Sequence, residues 1–222
     1  MPDVIITSGG TEEPIDSVRS ITNFSTGSTG AFLARYFYQI GCHVELWKSE
    51  RAMNPEEDVH IREFLTYEDL SQLMRRELPM RTKPFLFIHA AAVSDYSVEK
   101  ITDHSGQSFP QTNTQKISSQ NPLMVHLKPN PKLLNSIKSL NPLAQVIGFK
   151  LTVGPPEPHI QDWIETQLSQ GTVDAVVHNN LNKIKNNVHP HQIYTHESPP
   201  LSGKTKSDMA QNIAQLFLRS SS

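Results

Sequence analysis

Residues 23–30 read Asn-Phe-Ser-Thr-Gly-Ser-Thr-Gly and open an apolar stretch of helical spacing. Hydroxyls and glycines at a helix start suit an anion. Small residues let a ligand approach the backbone, and the first-turn N–H groups lack partners and carry the positive end of the helix dipole. A related break lies upstream, where the β-branched run Asp3–Thr7 ends in Ser8-Gly9-Gly10-Thr11. Strand, glycine turn and hydroxyl-rich helix start together predict a phosphate-bearing ligand; the alternative for Gly27 and Gly30 is tight helix–strand packing. No Gly-Lys-Ser/Thr follows, so this is not a Walker loop. The glycines at 27 and 30 do not follow the first strand directly, as a dinucleotide fingerprint requires.

Three further segments carry chemistry-bearing residues. His89-Ala90-Ala91-Ala92-Val93-Ser94-Asp95-Tyr96 follows an apolar run. At the carboxyl end of a parallel strand its small residues leave room for a ligand, and Asp95 either faces a ligand hydroxyl, amine or Mg²⁺ or caps the turn. In Gly148-Phe149-Lys150, Phe149 stacks on a base or joins the core, and Lys150 faces phosphate or solvent. Asn179-Asn180 supplies amide donors or ordinary turn chemistry. Residues 97–122 are polar, rich in Ser, Thr, Gln and Asn, and contain Gln115-Lys116-Ile117-Ser118-Ser119. A connection of that length is more often functional than filler, and it reads as a flap carrying Lys116, the alternative being a disordered surface insertion. His178, His189 and His191 lack metal-ligand spacing and read as surface residues. Cys42 reads as a small packed residue, and no Gly-x-Ser-x-Gly elbow occurs.

The elements that must position these groups alternate. Strand-like runs cover 3–7, 43–47, 59–64, 84–89, 144–149 and 173–177, with a late edge strand at 191–196. Helix-period segments cover 28–40, 67–78, 131–139, 159–170 and 206–218. The alternation predicts an α/β, Rossmann-like fold: a mostly parallel central sheet with helices on both faces, plus the long flap. The formal net charge is −2 over 222 residues, and no basic run occurs. Nucleic acid and anionic membrane are therefore poor partners. A single cysteine rules out an internal disulfide and fits a reducing compartment. No signal core and no apolar run near the roughly 18 residues of a membrane span is present, so a cytoplasmic location is expected.

The block Ile6-Thr7-Ser8-Gly9-Gly10-Thr11, continued by Glu13-Pro14-Ile15-Asp16-Ser17-Val18-Arg19-Ser20-Ile21-Thr22-Asn23-Phe24-Ser25-Thr26-Gly27 and Gly30, resembles the start of phosphopantothenoylcysteine synthetase (phosphopantothenate–cysteine ligase). The likeness continues through Ala91–Tyr96, Lys116–Ser119, Asn130–Leu134, Gly148–Lys150 and Asp174–Asn180. It implies one ligase domain over residues 1–222, in a stand-alone bacterial form without the decarboxylase domain that precedes this block in many homologues.

The resemblance implies a step of coenzyme A biosynthesis. A nucleoside triphosphate, CTP with ATP as the alternative, activates the carboxylate of 4′-phosphopantothenate as an acyl-nucleotide and releases pyrophosphate. The amine of L-cysteine then displaces the nucleoside monophosphate. Mg²⁺ and a homodimer are expected. Both steps build negative charge on oxygen, so fixed donors and cations matter more than a nucleophile. By resemblance, Asn23 and Lys116 are catalytic. Gly9, Gly10, His89, Ala90, Ala91, Asp95, Lys116, Pro131, Lys132, Leu133, Leu134 and Phe149 hold the nucleotide. Asn23, Ser25, Thr26, Gly27, Gly30, Ala92 and Asn179 hold the acid and its phosphate. No metal ligand is assigned.

Two departures stand out. The family's pair of lysines on the helix before Asp174 is missing from residues 159–170, which leaves Lys150 or Lys132 to replace them. The family's Asn-Asp is Asn179-Asn180 here. A non-catalytic nucleotide-binding module is the alternative that these losses suggest. A nicotinamide-dependent reductase would need a dinucleotide fingerprint and a Tyr-x-x-x-Lys pair, and neither is found.

Overall fold

A computed structural model describes residues 1–109, 116–118, 122–154, 159–185 and 188–218. The chain runs through β1 (Asp3–Ser8), a hairpin of β2 (Glu12–Pro14) and β3 (Ser20–Thr22), α1 (Ser28–Gln39), β4 (His43–Ser49), β5 (His60–Phe64), α2 (Tyr67–Glu77) and β6 (Phe85–His89). There follow β7 (Tyr96–Asp103), β8 (Ser108–Phe109), β9 (Leu123–Pro129), α3 (Ile137–Leu140), β10 (Ala144–Thr152) and α4 (Ile160–Ser169). The last elements are β11 (Ala175–Asn180), β12 (His191–Thr195), β13 (Leu201–Gly203) and α5 (Lys206–Phe217).

Eight strands form the main sheet in the order β13-β12-β11-β10-β6-β1-β4-β5. The six from β11 to β5 are parallel, and β12 and β13 close one edge antiparallel. Strand alternation divides the core between two faces. Val4, Ile6, Ile88, Ile147 and Val177 pack with α1 and α5 residues such as Leu33, Phe37, Met209 and Ile213. Ile5, Phe87, Val146 and Val176 pack with Leu70 of α2, Ile137 of α3 and Ile164 of α4. Each fully buried aliphatic or Phe side chain contributes about 1.5–3 kcal/mol. β4 lies on one side of β1 and β6 on the other. The topology therefore switches direction between β1 and β6, and in such sheets ligands bind outside the carboxyl ends at that point. Among the described residues, no helix is long and apolar enough to cross a membrane.

The Rossmann-like sheet expected from the sequence is present. Several local expectations change. The segment 97–122 is not a plain loop: Tyr96–Asp103 pairs antiparallel with Ser108–Phe109 and with Leu123–Pro129 in a separate three-stranded sheet. Its inner face gathers Val98, Ile101 and Ile117 with Ile15, Leu123 and Val125. The expected helix over 131–139 is a 3₁₀ turn at Leu133–Ser136 followed by short α3. Gln115, Ser119 and the stiff Pro155–Pro158 connection lie outside the described residues.

Helix starts differ. α2 and α5 each begin with a reciprocal capping box, Thr66 with Asp69 and Thr205 with Asp208. α1 begins at Gly27, in left-handed conformation (φ 72°), with no side-chain cap and no acidic residue in its first turn.

Candidate functional site

The β1–β6 crevice is closed by its own backbone. Gly9 O accepts the N–H of Ala92 (2.8 Å), and Ala92 O accepts that of Thr11 (3.3 Å), which extends the pairing past the strands to Gly10 and Ala92. Gly10 meets the loop that returns from the hairpin: an added Cβ would overlap the Asn23 carbonyl oxygen. His89 lies beneath this seam, buried, with Nδ1 2.8 Å from Thr7 Oγ1, which also accepts the Ala91 N–H (3.2 Å). Burial pushes its pKa down to about 4, so its imidazole is neutral at pH 7. Gly9, Gly10 and His89 thus shape the floor, and their side-chain positions face protein.

The open space lies next to the seam, on the α1–α5 side. It is a cavity of about 810 Å³ lined by Ser25, Thr26, Gly27, Gly30, Ala90, Ala91, Ala92, Phe149 and Asn179, all singled out in the sequence. Gly27 and Gly30 seat α1 tightly on β1: a Cβ on Gly27 would stand 2.6 Å from Ala52 Cβ, and one on Gly30 2.5 Å from Ser8 Cβ. Their packing sets the start of α1 against the cavity, where the Ser28 N–H meets only a long contact with Thr26 Oγ1 (3.4 Å). The far wall is apolar, with Phe149, Leu151, Leu181 and Ile184, and the fully exposed Phe24 stands at the mouth.

Asn23 stands between the seam and Asp95. Its Nδ2 donates to Val93 O (3.1 Å) and Ala92 O (3.4 Å), which fixes the amide and leaves Oδ1 without a donor among the described residues. Two residues past Val93, the exposed Asp95 pairs with Lys132 Nζ, and its main-chain oxygen accepts the N–H of Asn130 (2.8 Å). Pro131 lines a second cavity of about 770 Å³ with Glu13, Tyr67 and Lys128, and its carbonyl accepts the Tyr67 hydroxyl (2.9 Å). Leu133 is buried in the α2–α4 core, and Leu134 packs over Gly148. Leu133 therefore meets a ligand only through its main chain.

Lys116 is exposed and lines neither cavity. Its neighbour Ile117 is clamped to the tip of the β2–β3 hairpin. Asp16 accepts the Ile117 N–H (3.1 Å), and Arg19 Nη2 donates to Ile117 O (2.9 Å). The Arg19 guanidinium holds the Asp16 carboxyl well below the usual carboxylate range. Asn23 lies at the base of that hairpin and Lys116 at its tip, so one chain does not bring them together in this conformation. Lys150, a candidate for phosphate contact, points to the other face of β10, its Nζ 4.9 Å from the Trp163 ring centroid on α4.

The sequence missed the two titratable residues of the main cavity, His189 and Lys206. His189, read as a surface residue, is buried, and its Nε2 accepts from Asn179 Nδ2 (2.9 Å). Burial, then Lys206, then His191 depress its pKa to about 4. His191, read the same way, is buried too, under β13. Lys206, the first residue of α5, donates from Nζ to Ser28 Oγ (2.8 Å) at the start of α1. The only sequence signal for Lys206 was its place beside a helix cap.

Fold and site define a Rossmann-like α/β protein with one uncapped helix start opened onto a cavity at the carboxyl ends of its strands. The chain belongs to the DNA/pantothenate metabolism flavoprotein C-terminal domain family, whose profile matches residues 2–219. The family resemblance read from the sequence is borne out. The chain is 31% identical to the DNA/pantothenate metabolism flavoprotein from Streptococcus pneumoniae, whose crystal structure superimposes with a TM-score of 0.85 over 99% of each chain. It is 32% identical over 178 residues to the coenzyme A biosynthesis bifunctional protein CoaBC of Thermococcus kodakarensis, covering 80% of this chain and 41% of that protein. The chain thus spans under half the length of that curated relative. The structure of a Cab2 mutant in complex with phosphopantothenate-cysteine shares the fold, with a TM-score of 0.76 at 21% identity over 98% of this chain and 86% of that one.

Proposed function

We propose that the chain is a phosphopantothenate–cysteine ligase, activating 4′-phosphopantothenate with a nucleoside triphosphate and passing the acyl group to L-cysteine. The observation that carries this reading is the 810 Å³ cavity, whose lining joins the start of α1 and Lys206 with the apolar Phe149, Leu151, Leu181 and Ile184. Such a space suits a phosphate joined to a branched aliphatic chain. Family membership points the same way.

In this reading the phosphate sits at α1 and the chain runs toward Asn23. Asn23 Oδ1 accepts an N–H of the substrate and orients the acid, held in place by the Ala92 and Val93 carbonyls. The nucleotide shares the space, held at Ala90, Ala91 and Phe149 as the resemblance implies, with the Asp95–Lys132 pair beside it. The carboxylate oxygen bonds to the α-phosphorus and pyrophosphate leaves. The cysteine nitrogen then bonds to the acyl carbon, the nucleoside monophosphate leaves, and the amine proton passes to solvent. Among the described residues no three His, Cys, Asp or Glu side chains gather into a metal cage. One carboxylate with phosphate oxygens and water is a donor set that Mg²⁺ accepts, so Mg²⁺ fits as the partner of the nucleotide at Asp95. Lys116 is the cation that closes over the acyl centre, delivered by the flap of the same chain or of a second copy in a homodimer. CTP is the expected nucleotide.

Pyrophosphate release that needs 4′-phosphopantothenate, CTP and Mg²⁺ together is the expected result. Lys116→Gln should still release pyrophosphate in a single turnover yet accumulate acyl-nucleotide in quenched-flow samples. No release with either CTP or ATP would overturn the reading.

A further inference from the structure

We propose that Asn180 is a positioning residue: from behind the sheet it sets the apolar wall of the 810 Å³ cavity, and through that wall the affinity for the nucleotide. The inference rests on the ligase reading above and adds to it a residue that lines neither cavity.

The wall is built from the ends of two parallel strands. β10 supplies Phe149 and Leu151, and the turn after β11 supplies Leu181 and Ile184. The strands stay in register to their last pair, Thr152 with Asn180. Burial holds these ends only in part, since Leu151 and Leu181 are each 49% exposed. Strand alternation turns Val177 and Asn179 to the α1–α5 side and the cavity, and Val176 and Asn180 to the other face. On that face the Asn180 amide joins the two ends. Its Nδ2 donates to Gly154 O (2.9 Å) and to Thr152 Oγ1 (3.3 Å), just past Leu151. Its Oδ1 accepts the N–H of Asn182 (3.0 Å), inside the 3₁₀ turn Leu181–Lys183. Thr152 is itself buried, with Oγ1 3.1 Å from His178 Nε2. One side chain thus spends its donors on the end of β10 and its acceptor on the turn after β11. Only an amide does both. A carboxylate at this position would still accept from Asn182, yet it would face the Gly154 carbonyl acceptor to acceptor. Leu151 and Leu181 would then part, and the nucleotide would lose the surface beside Phe149 although no group that touches it had changed.

The test is calorimetric binding of the tighter of CTP and ATP, with Mg²⁺, to the full chain between pH 8 and pH 5. Each variant's affinity is divided by that of wild type at the same pH. Asn180→Asp should bind roughly 10-fold more weakly at pH 8. The deficit should narrow toward pH 5, because an acceptor opposite disfavours the charged carboxyl and a protonated one donates again. His178, which shares Thr152 Oγ1, is common to every protein compared and cancels from the ratio. Asn180→Ala should lose at least as much at every pH. Matching far-ultraviolet spectra and melting curves check the fold of each variant. An undiminished affinity in Asn180→Asp, or a deficit as indifferent to pH as that of Asn180→Ala, would overturn the role of Asn180 and leave the ligase reading intact. A wild-type chain that binds neither nucleotide would overturn both.

Discussion

Gly9 and Gly10 follow β1 with their missing side chains turned into Ser49, Ala52 and the Asn23 carbonyl, while Gly27 and Gly30, beyond the β2–β3 hairpin, line an 810 Å³ cavity. The two pairs share a composition and a hydroxyl-rich setting. Both are glycine because something comes too close for a Cβ, and in both that something is protein. The difference lies in the amides. Beyond β1 the backbone is consumed by the Gly9–Ala92–Thr11 hydrogen bonds, whereas at the start of α1 the N–H groups of Gly27 and Ser28 meet only the long contacts of Ser25 and Thr26 hydroxyls (3.4 Å each). A glycine pair therefore marks a close approach. Whether a ligand also fits depends on which backbone groups the rest of the chain leaves unspent.

The contrast can be broken most forcefully at Gly10. Gly10→Ala must displace the Asn23 backbone, and overpacking of this kind costs up to about 3 kcal/mol. In a chain of this size that lowers Tm by roughly 6–12 °C. A calorimetric melt at the wild-type temperature would show that the seam is not tightly closed. Asn23→Asp probes the boundary between the two regions. It turns a carboxylate onto the carbonyl oxygens of Ala92 and Val93 and removes the donor that fixes the side chain. Single-turnover pyrophosphate release should slow about 30-fold, roughly 2 kcal/mol, with little change in Tm. An unchanged rate would remove Asn23 from the site.

The remaining effect is acid sensitivity. His89 in the closed region and His189 in the open one both titrate near pH 4 because they are buried, against 6.5 when exposed. As pH falls through 6.5 the unfolded chain takes up protons that the folded chain refuses. Stability is therefore full above pH 6.5 and declines toward pH 4, by at most about 1.4 kcal/mol per pH unit for each histidine. Urea midpoints should fall between pH 7 and 5, and His189→Gln should reduce the slope. Phosphate-bearing ligand should raise the pKa of His189 in a nuclear magnetic resonance titration and leave His89 alone. A stability flat across that range would contradict the burial of both rings.

The central sheet was legible because its strands are apolar on both faces, and α1, α2, α4 and α5 kept helical spacing. The β7–β9 sheet was not. The strand Tyr96–Asp103 buries Val98 and Ile101, three apart, because a register shift between Val98 and Lys100 resets the alternation. A period of two cannot find such a strand. At the site, the glycine and alanine loops were visible from local pattern. Lys206 and His189 were not, since Lys206 reaches Ser28 across 178 residues of sequence and looks like any exposed helix-start lysine. His189 flanks a proline, and its burial follows from the β11–β12 return that brings it to Asn179.

The clamp at Asp16 carries a kinetic consequence. Its carboxylate gathers the amides of Val18 and Arg19 locally, and that of Ile117 across 101 positions. The receptor is thus assembled early in synthesis and waits for a segment emitted much later, at a loop-closure cost that grows only with the logarithm of length. Latching of the small sheet becomes a late event of folding, and its release a partial opening that spares the eight-stranded body. The lysine beside the latch would then travel as cargo of that opening rather than by its own side-chain motion.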